Sequence, residues 1–412
     1  MSLNNSPRGV SLHIALFGKR NAGKSSLINA ITGGNTAIVS EVKGTTTDPV
    51  YKSMEILPLG PCVLIDTAGI DDDGTLGELR IEKTKEILKK TDLALLVIDS
   101  KLGISAEDNK FIKIFKEKQI PAVVVFNKID SVKIEEETLK KLEKDIEVPV
   151  VGVSSAEKIN INKLKDTMIK IMPEDSEKFR IVGDLISPGD FVVLVTPIDK
   201  AAPKGRLILP QQQTIRDILE SDAIAIVTKE YELRETLEKL GRKPRLVITD
   251  SQAFLKVAAD TPKDVPLTSF SILFARNKGD LNELIKGAKA VDRLKNGDKV
   301  LIAEGCTHHR QSDDIGTVKI PRWIRQRTGK DIEFEFASGA SFTEEVKKYS
   351  LIVHCGACML NKTAMMSRIE AAAKFGVPIV NYGVLIAYVQ GIMPRALEPF
   401  PLAKLLWEEE NI

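Results

Sequence analysis

The sequence is short of aromatic residues, of cysteine, of net charge and of long apolar runs, and each shortage excludes something. Aromatic residues make up 5% of the 412, so any core must be mostly aliphatic. Lys and Arg number 59 against 57 Asp and Glu, a net charge of +2. That balance gives no global pull toward nucleic acid or an anionic membrane, so neither is expected as a partner, and a basic site would have to be local. Four cysteines in a chain of this length argue against a disulfide framework. The first apolar run, 14–17, is too short for a secretory core segment. The uncharged stretch 375–394 is long enough to span a bilayer, but it is broken by Gly376, Pro378, Asn381, Gly383, Gln390 and Gly391. It reads as a buried strand followed by a helix. Repeats and low-complexity segments are missing too. A reduced, cytoplasmic protein without a membrane span is the expectation.

What is present is enough for several cores: 43% hydrophobic residues, with 28% charged to keep the surface wet. At about 150 residues per domain, the length suggests two or three domains. In the first third, apolar runs at 14–17, 63–65, 93–98, 122–126 and 150–153 alternate with charged, helix-period stretches such as 76–90 and 135–144. That pattern predicts a parallel sheet covered on both faces. Pro173 and the charged run 174–178 mark a linker. A second α/β pattern follows, with strands expected near 191–196, 223–227 and 246–249. It carries no catalytic constellation, and association is its expected task. A third has strands expected at 299–303, 332–336, 351–353 and 378–380. The expected architecture is α/β in three domains with mainly parallel sheets: a P-loop nucleotide-binding domain over 1–172, then smaller domains over 183–263 and 264–412.

Gly18-Lys19-Arg20-Asn21-Ala22-Gly23-Lys24-Ser25 fits G-x-x-x-x-G-K-S, between a strand and a helix beginning near Ser26. Backbone N–H groups of such a loop, Ala22 and Gly23 among them, cradle phosphate oxygens at a helix N-terminus. Lys24 can reach the β and γ phosphates, and the Ser25 hydroxyl can bind Mg2+. Alone, the motif could be a plain glycine turn. Three more segments accompany it at predicted strand ends. Asp66-Thr67-Ala68-Gly69 supplies a carboxylate for Mg2+, held through water, and a Gly69 amide for the γ-phosphate. Asn127-Lys128-Ile129-Asp130 supplies a carboxylate for guanine N1 and its exocyclic amine, which adenine cannot match. Ser154-Ser155-Ala156 can meet the base through backbone amides. Ligands bind at the carboxyl ends of strands in open α/β sheets, so the four together predict a GTP/GDP site.

Over about residues 10–172 this order resembles the Era and MnmE-like GTPases. The resemblance implies that Gly44-Thr45-Thr46-Thr47-Asp48 is the switch loop, with Thr46 (or else Thr45) on Mg2+; Thr47 stands where that group has Arg. It implies a K+ ion at Asn21, which could replace an arginine finger. Lys24, Thr46 and Gly69 are then the catalytic set. Ile70 occupies the place of the water-orienting glutamine of Ras-like proteins, so slow hydrolysis with a catalytic group from elsewhere is expected; Asp71, Asp72 and Asp73 after it read first as a solvated acidic loop and second as candidates for that group.

Three of the four cysteines and three of the four histidines fall in two short segments, Cys306-Thr307-His308-His309 and His354-Cys355-Gly356-Ala357-Cys358, with 45 residues between His308 and His354. Both follow predicted strands, and C-x-x-C lets two thiolates grip one centre. Three thiolates with a histidine suit a structural zinc. Three with an open fourth position suit a 4Fe–4S cluster, and a redox dithiol of Cys355 and Cys358 is a further alternative. A structural zinc would go with an RNA- or ribosome-associated GTPase, although a basic RNA-binding loop is not evident.

C-x-H followed at a distance by H-C-x-x-C, behind a GTPase domain, resembles the FeFe-hydrogenase maturation GTPases, the HydF family, over the whole chain; the gap is slightly short for that family. The resemblance implies a 4Fe–4S cluster on Cys306, Cys355 and Cys358, with an exchangeable fourth ligand for which His308, His354, a carboxylate or water are candidates. It implies a carrier that delivers the two-iron precursor to apo-hydrogenase, with radical-SAM maturation enzymes as further partners. It also implies a homodimer or higher assembly through the middle domain. Arg322, Arg325 and Arg327 around Trp323 read first as a solvated helix face and second as a contact for an acidic partner.

Overall fold

The computed structural model describes residues 11–33, 49–67, 84–132, 134–172, 180–198, 207–304, 314–338, 344–356 and 360–409. The chain divides into two compact units, 1–175 and 176–412.

The first unit is built on a six-stranded sheet: β1 (Leu12–Phe17), β2 (Val50–Ile56), β3 (Gly60–Asp66), β4 (Leu93–Asp99), β5 (Ala122–Asn127) and β6 (Val150–Val153), in the order β2-β3-β1-β4-β5-β6. β1 sits between β3 and β4 and is parallel to both. Alternate residues of β1 enter different cores: Ile14 and Leu16 meet Leu27, Ile31 and Leu164, while Ala15 and Phe17 meet Phe111 and Phe115. A parallel strand buried on both faces reads as an unbroken apolar run, which is why these strands were visible in the sequence. β2 was not foreseen. It is an antiparallel edge strand on β3 with only Ile56 buried, so it has no apolar run to betray it. Three of the few aromatic rings stack here, Phe17 with its centroid 5.5 Å from Phe111 and 5.3 Å from Phe115. Helix Ala106–Glu117, which carries two of them, is fixed at its start by the Ser105–Asp108 capping box.

The second unit has two four-stranded parallel sheets. One is β7 (Phe191–Val195), β8 (Ile224–Thr228), β9 (Leu246–Thr249) and β10 (Leu267–Ser269), ordered β10-β9-β7-β8. The other is β11 (Lys299–Glu304), β12 (Glu333–Ser338), β13 (Leu351–His354) and β14 (Ile379–Asn381), ordered β12-β11-β13-β14. One apolar core threads both, from Ile181 to Ala403, with helix Phe270–Lys278 contributing to it. β10 pairs with β9 and so belongs to the first of these sheets, past the expected 263/264 boundary; it is only three residues long with two hydroxyls, too little to read as a strand. Helix Leu281–Lys289 lies so close to β14 that a Cβ on Gly287 would stand 1.9 Å from the Ile379 carbonyl oxygen. The uncharged stretch 375–394 is β14 followed by helix Tyr382–Val389, as expected, and among the described residues no helix is long and apolar enough to cross a membrane.

Candidate functional site

Five strands of the first sheet deliver polar residues at their carboxyl ends. β1 runs into the glycine-rich loop, and Gly23, at φ 91°, turns the chain into helix Lys24–Thr32. The two loop glycines are dictated by close approach. A Cβ on Gly18 would lie 2.1 Å from the Val97 carbonyl oxygen, and one on Gly23 would lie 2.2 Å from Asn127 Nδ2. Asn21 also takes left-handed backbone, φ 62°, and is exposed. Lys24 is buried and donates to the carbonyls of Gly18 (2.7 Å) and Lys19 (2.8 Å), so its ammonium lies across the loop. Ser26 is exposed in the first helical turn.

β3 is the neighbour of β1 and ends in Asp66, which accepts from Ser25 Oγ at 2.5 Å. The two expected Mg2+ groups therefore meet. Burial pushes the Asp66 carboxyl up, against the opposing effects of the Ser25 bond and the Lys24 charge. A half-buried carboxylate of raised basicity beside a hydroxyl is a fit partner for a divalent cation, which would restore its charged form.

β5 and β6 bring the base-recognition set together. Asn127 is buried; its Nδ2 donates to the Ala22 carbonyl at 3.0 Å, and its Oδ1 accepts from Ser155 N (3.1 Å) and Ser155 Oγ (2.8 Å). One side chain thus ties the phosphate loop to the last loop of the sheet. Ser154 Oγ donates to Asp130 Oδ1 at 2.5 Å and holds that carboxyl below the usual range. Asp130 is exposed, as a base-reading group must be, and so is Ala156. Lys128, at φ 67°, donates to the Asn21 carbonyl and to Asp99 Oδ2, both at 2.7 Å. Asp99 was missed in the sequence. Burial raises its carboxyl, but the Lys128 bond and the Lys101 amide outweigh that and leave it lowered. Its only signal was its place at the end of the run 93–98, the same place Asp66 holds on β3. Thr46, Thr45 and Gly69, with Ile70 and Asp71–Asp73, lie outside the described residues.

In the second unit, β11 and β13 are adjacent and parallel, with Ala303 level with His354, and the Cys355 amide donates to the Ala303 carbonyl at 3.0 Å. The segments that carry Cys306 and the Cys355/Cys358 pair therefore leave the sheet at neighbouring strand ends. Cys355 is half-buried; Cys306, His308, His309 and Cys358 lie outside the described residues. Adjacent exits, one thiol beside the sheet edge and two more residues away at most three positions along the chain fit a centre held by three thiolates. His354 is fully buried and its two ring nitrogens are engaged: Nδ1 with the Cys355 carbonyl at 2.7 Å, and Nε2 with Arg368 Nη1 at 2.5 Å. Burial, with the Arg368 charge, drives its pKa down to about 3, so the ring is neutral. Placed so, it has no ring nitrogen left over for a metal, and the fourth-ligand expectation for His354 would require the Arg368 bond to break. Arg368, from helix Lys362–Lys374, was not singled out in the sequence and gave no signal there. Two of the three expected surface arginines have intramolecular work: Arg325 donates to the Ile332 carbonyl at 2.9 Å and lies over Phe334, and Arg327 pairs with Asp292 at 3.1 Å. Arg322 is exposed, and Trp323 packs against the core.

Sheet order, phosphate loop and base-recognition pair define the first unit as a P-loop GTPase domain, and a family model described as 50S ribosome-binding GTPase matches residues 13–128. Two further models, the hydrogen maturase F dimerization domain over 181–279 and the hydrogen maturase F tetramerization domain over 282–399, together span more than half of the chain. The chain belongs to the hydrogen maturase F family. Among curated proteins it is similar to the tRNA modification GTPase MnmE of Thermoanaerobacter sp. (strain X514), 39% identical over 234 residues, covering 56% of this chain and 47% of that one. It is similar to GTPase Der of Kosmotoga olearia, 29% identical over 237 residues, covering 54% and 53%. The chain thus spans about half the length of these relatives. A solved structure of Era with MgGDPNP and a 16S ribosomal RNA segment aligns with 56% of this chain and 98% of its own at 22% identity and a TM-score of 0.35.

Proposed function

We propose that this protein is a GTP-hydrolysing carrier that holds a 4Fe–4S cluster and hands a two-iron unit, its cargo, to apo-hydrogenase in the cytoplasm, in company with radical-SAM enzymes. The observation that carries the reading is the pair of neighbouring strand ends, with Ala303 bonded to Cys355, inside the region matched by the family's own domains.

In the first unit, Lys24 and the loop amides hold the phosphates, and Ser25, Thr46 and Asp66 hold Mg2+. Asp130, Asn127, Lys128 and the 154–156 loop form the guanine-selecting set. The Gly69 amide meets the γ-phosphate. Phosphoryl transfer asks chiefly for positioning and charge stabilisation, which these groups supply. A K+ ion at Asn21 would supply the charge that an arginine finger gives elsewhere, and with Ile70 in the glutamine place turnover is slow. In the second unit, Cys306, Cys355 and Cys358 hold the cluster and leave one iron for an exchangeable ligand, where cargo can dock and depart. GTP turnover regulates partner exchange and supplies no chemistry to the cluster.

The test is transfer. Protein purified from cells that also make the radical-SAM enzymes is mixed anaerobically with apo-hydrogenase, and hydrogen evolution is followed. Activation by the wild type and none by Cys306→Ser or Cys358→Ser is expected; equal activation by the serine variants contradicts the reading.

A further inference from the structure

Arg368 is a cation buried to 9% exposure, yet neither the GTP site nor the thiolate set calls for it. A guanidinium removed from water at that depth is costly unless it has a task or a partner. Its Nη1 stands 2.5 Å from His354 Nε2, and guanidinium nitrogens can only donate, so Nε2 is the acceptor. The ring proton is then on Nδ1, where it is donated to the Cys355 carbonyl at 2.7 Å. On its other side Cys355 donates its amide to Ala303 at 3.0 Å. The peptide groups before and after the Cys355 α-carbon are therefore both held, one by the neighbouring strand and one by the Arg368–His354 pair, which fixes the direction of the Cα–Cβ bond. The guanidinium bonds the side chain of the residue next to Cys355, so its charge lies close to that position.

We propose that Arg368 is the positioning residue of the thiolate site: through His354 it aims Cys355, and its charge offsets that of the thiolate-held cluster, with His354 a post in this chain and not an iron ligand. The inference rests on the reading of Cys306, Cys355 and Cys358 as cluster ligands. A centre with three thiolates becomes more negative on reduction, so a fixed cation beside it favours the reduced form. Outer groups that orient metal ligands commonly change metal retention by about tenfold to a hundredfold.

The test uses the full chain with its cluster reconstituted anaerobically, comparing wild type, Arg368→Gln and Arg368→Lys. Redox titration followed by electron paramagnetic resonance gives the potential, and iron loss to a chelator gives retention. Arg368→Gln should lower the potential, leaving about tenfold less reduced cluster at a given poise, about 59 mV for one electron. It should also lose iron about tenfold faster. Arg368→Lys keeps the charge but cannot make the same bond to Nε2, so its potential should stay near wild type while iron loss remains faster. Circular dichroism and thermal melting of the full chain, compared with wild type, are the folding control. A potential and a retention in Arg368→Gln equal to wild type overturn the proposal. If Arg368→Gln does not fold, retention in Arg368→Lys equal to wild type does the same. A wild-type chain that takes up no cluster would instead overturn the carrier reading on which this rests.

Discussion

Asp130, the proposed base-reading carboxylate, is exposed, with one oxygen already tied to Ser154. Asp130→Asn keeps the shape but turns an acceptor into a donor opposite guanine N1. Loss of a charged hydrogen-bonded pair costs about 1.5–3 kcal/mol, or about 10–100-fold in affinity. GTP binding by calorimetry should weaken by that much, and xanthine nucleotides should gain. Lys24→Ala should reduce phosphate release from GTP by at least about a hundredfold, as expected when a preorganised charge donor is lost, while iron content stays unchanged. Asp99→Asn tests a residue the sequence hid. It removes the charge that holds Lys128, so the Kd for GTP should rise roughly threefold to tenfold, the worth of about 0.5–1.5 kcal/mol, with kcat unchanged. An altered kcat at unchanged Kd would show that Asp99 acts on the phosphates instead.

Elements were legible where burial on both faces forces an apolar run. β1, β3, β4, β5 and β6 were readable for that reason, and so were β11 and β13. β2 and β10 were not, because an edge strand with one buried residue and a three-residue strand with two hydroxyls have no period to detect. The motif residues were legible because their spacing is local to one loop. The pairs Asp99–Lys128 and His354–Arg368 join residues 29 and 14 positions apart, brought together only by the sheet and the following helix, so no local pattern announces them. The helix–sheet contact at Gly287 belongs to this scale. Gly287→Ala would drive a methyl group into the backbone of β14 and should destabilise by about 1–3 kcal/mol, read as a lower denaturant midpoint. Gly329→Ala, where a Cβ would meet nothing within 4 Å but the φ is 65°, separates backbone strain from overpacking: its loss should be the smaller. At the edge of the β11–β14 sheet, the Tyr349 hydroxyl, Lys348 and Lys299 surround Glu335 and hold its carboxyl down at about 2. A folded-state value below the ordinary one means a contribution present above pH about 4.5 and lost as pH falls through about 2. Carboxyl-carbon NMR should place the Glu335 midpoint near 2.

At the scale of the whole molecule, a GTPase unit and a unit with the family's two association domains share one chain. The family's two association domains match inside the second unit, and the chain spans only about half the length of its MnmE and Der relatives. The central claim is that the second unit carries iron. The direct measurement is anaerobic purification followed by iron, sulfide and zinc analysis with an absorption spectrum. About four irons and four sulfides per chain, with broad absorption near 400 nm that is lost in Cys355→Ser, is the result predicted from a thiolate-held cubane. About one zinc per chain and no visible absorption would contradict the account, and would return the thiols to a structural metal in a GTPase of another task.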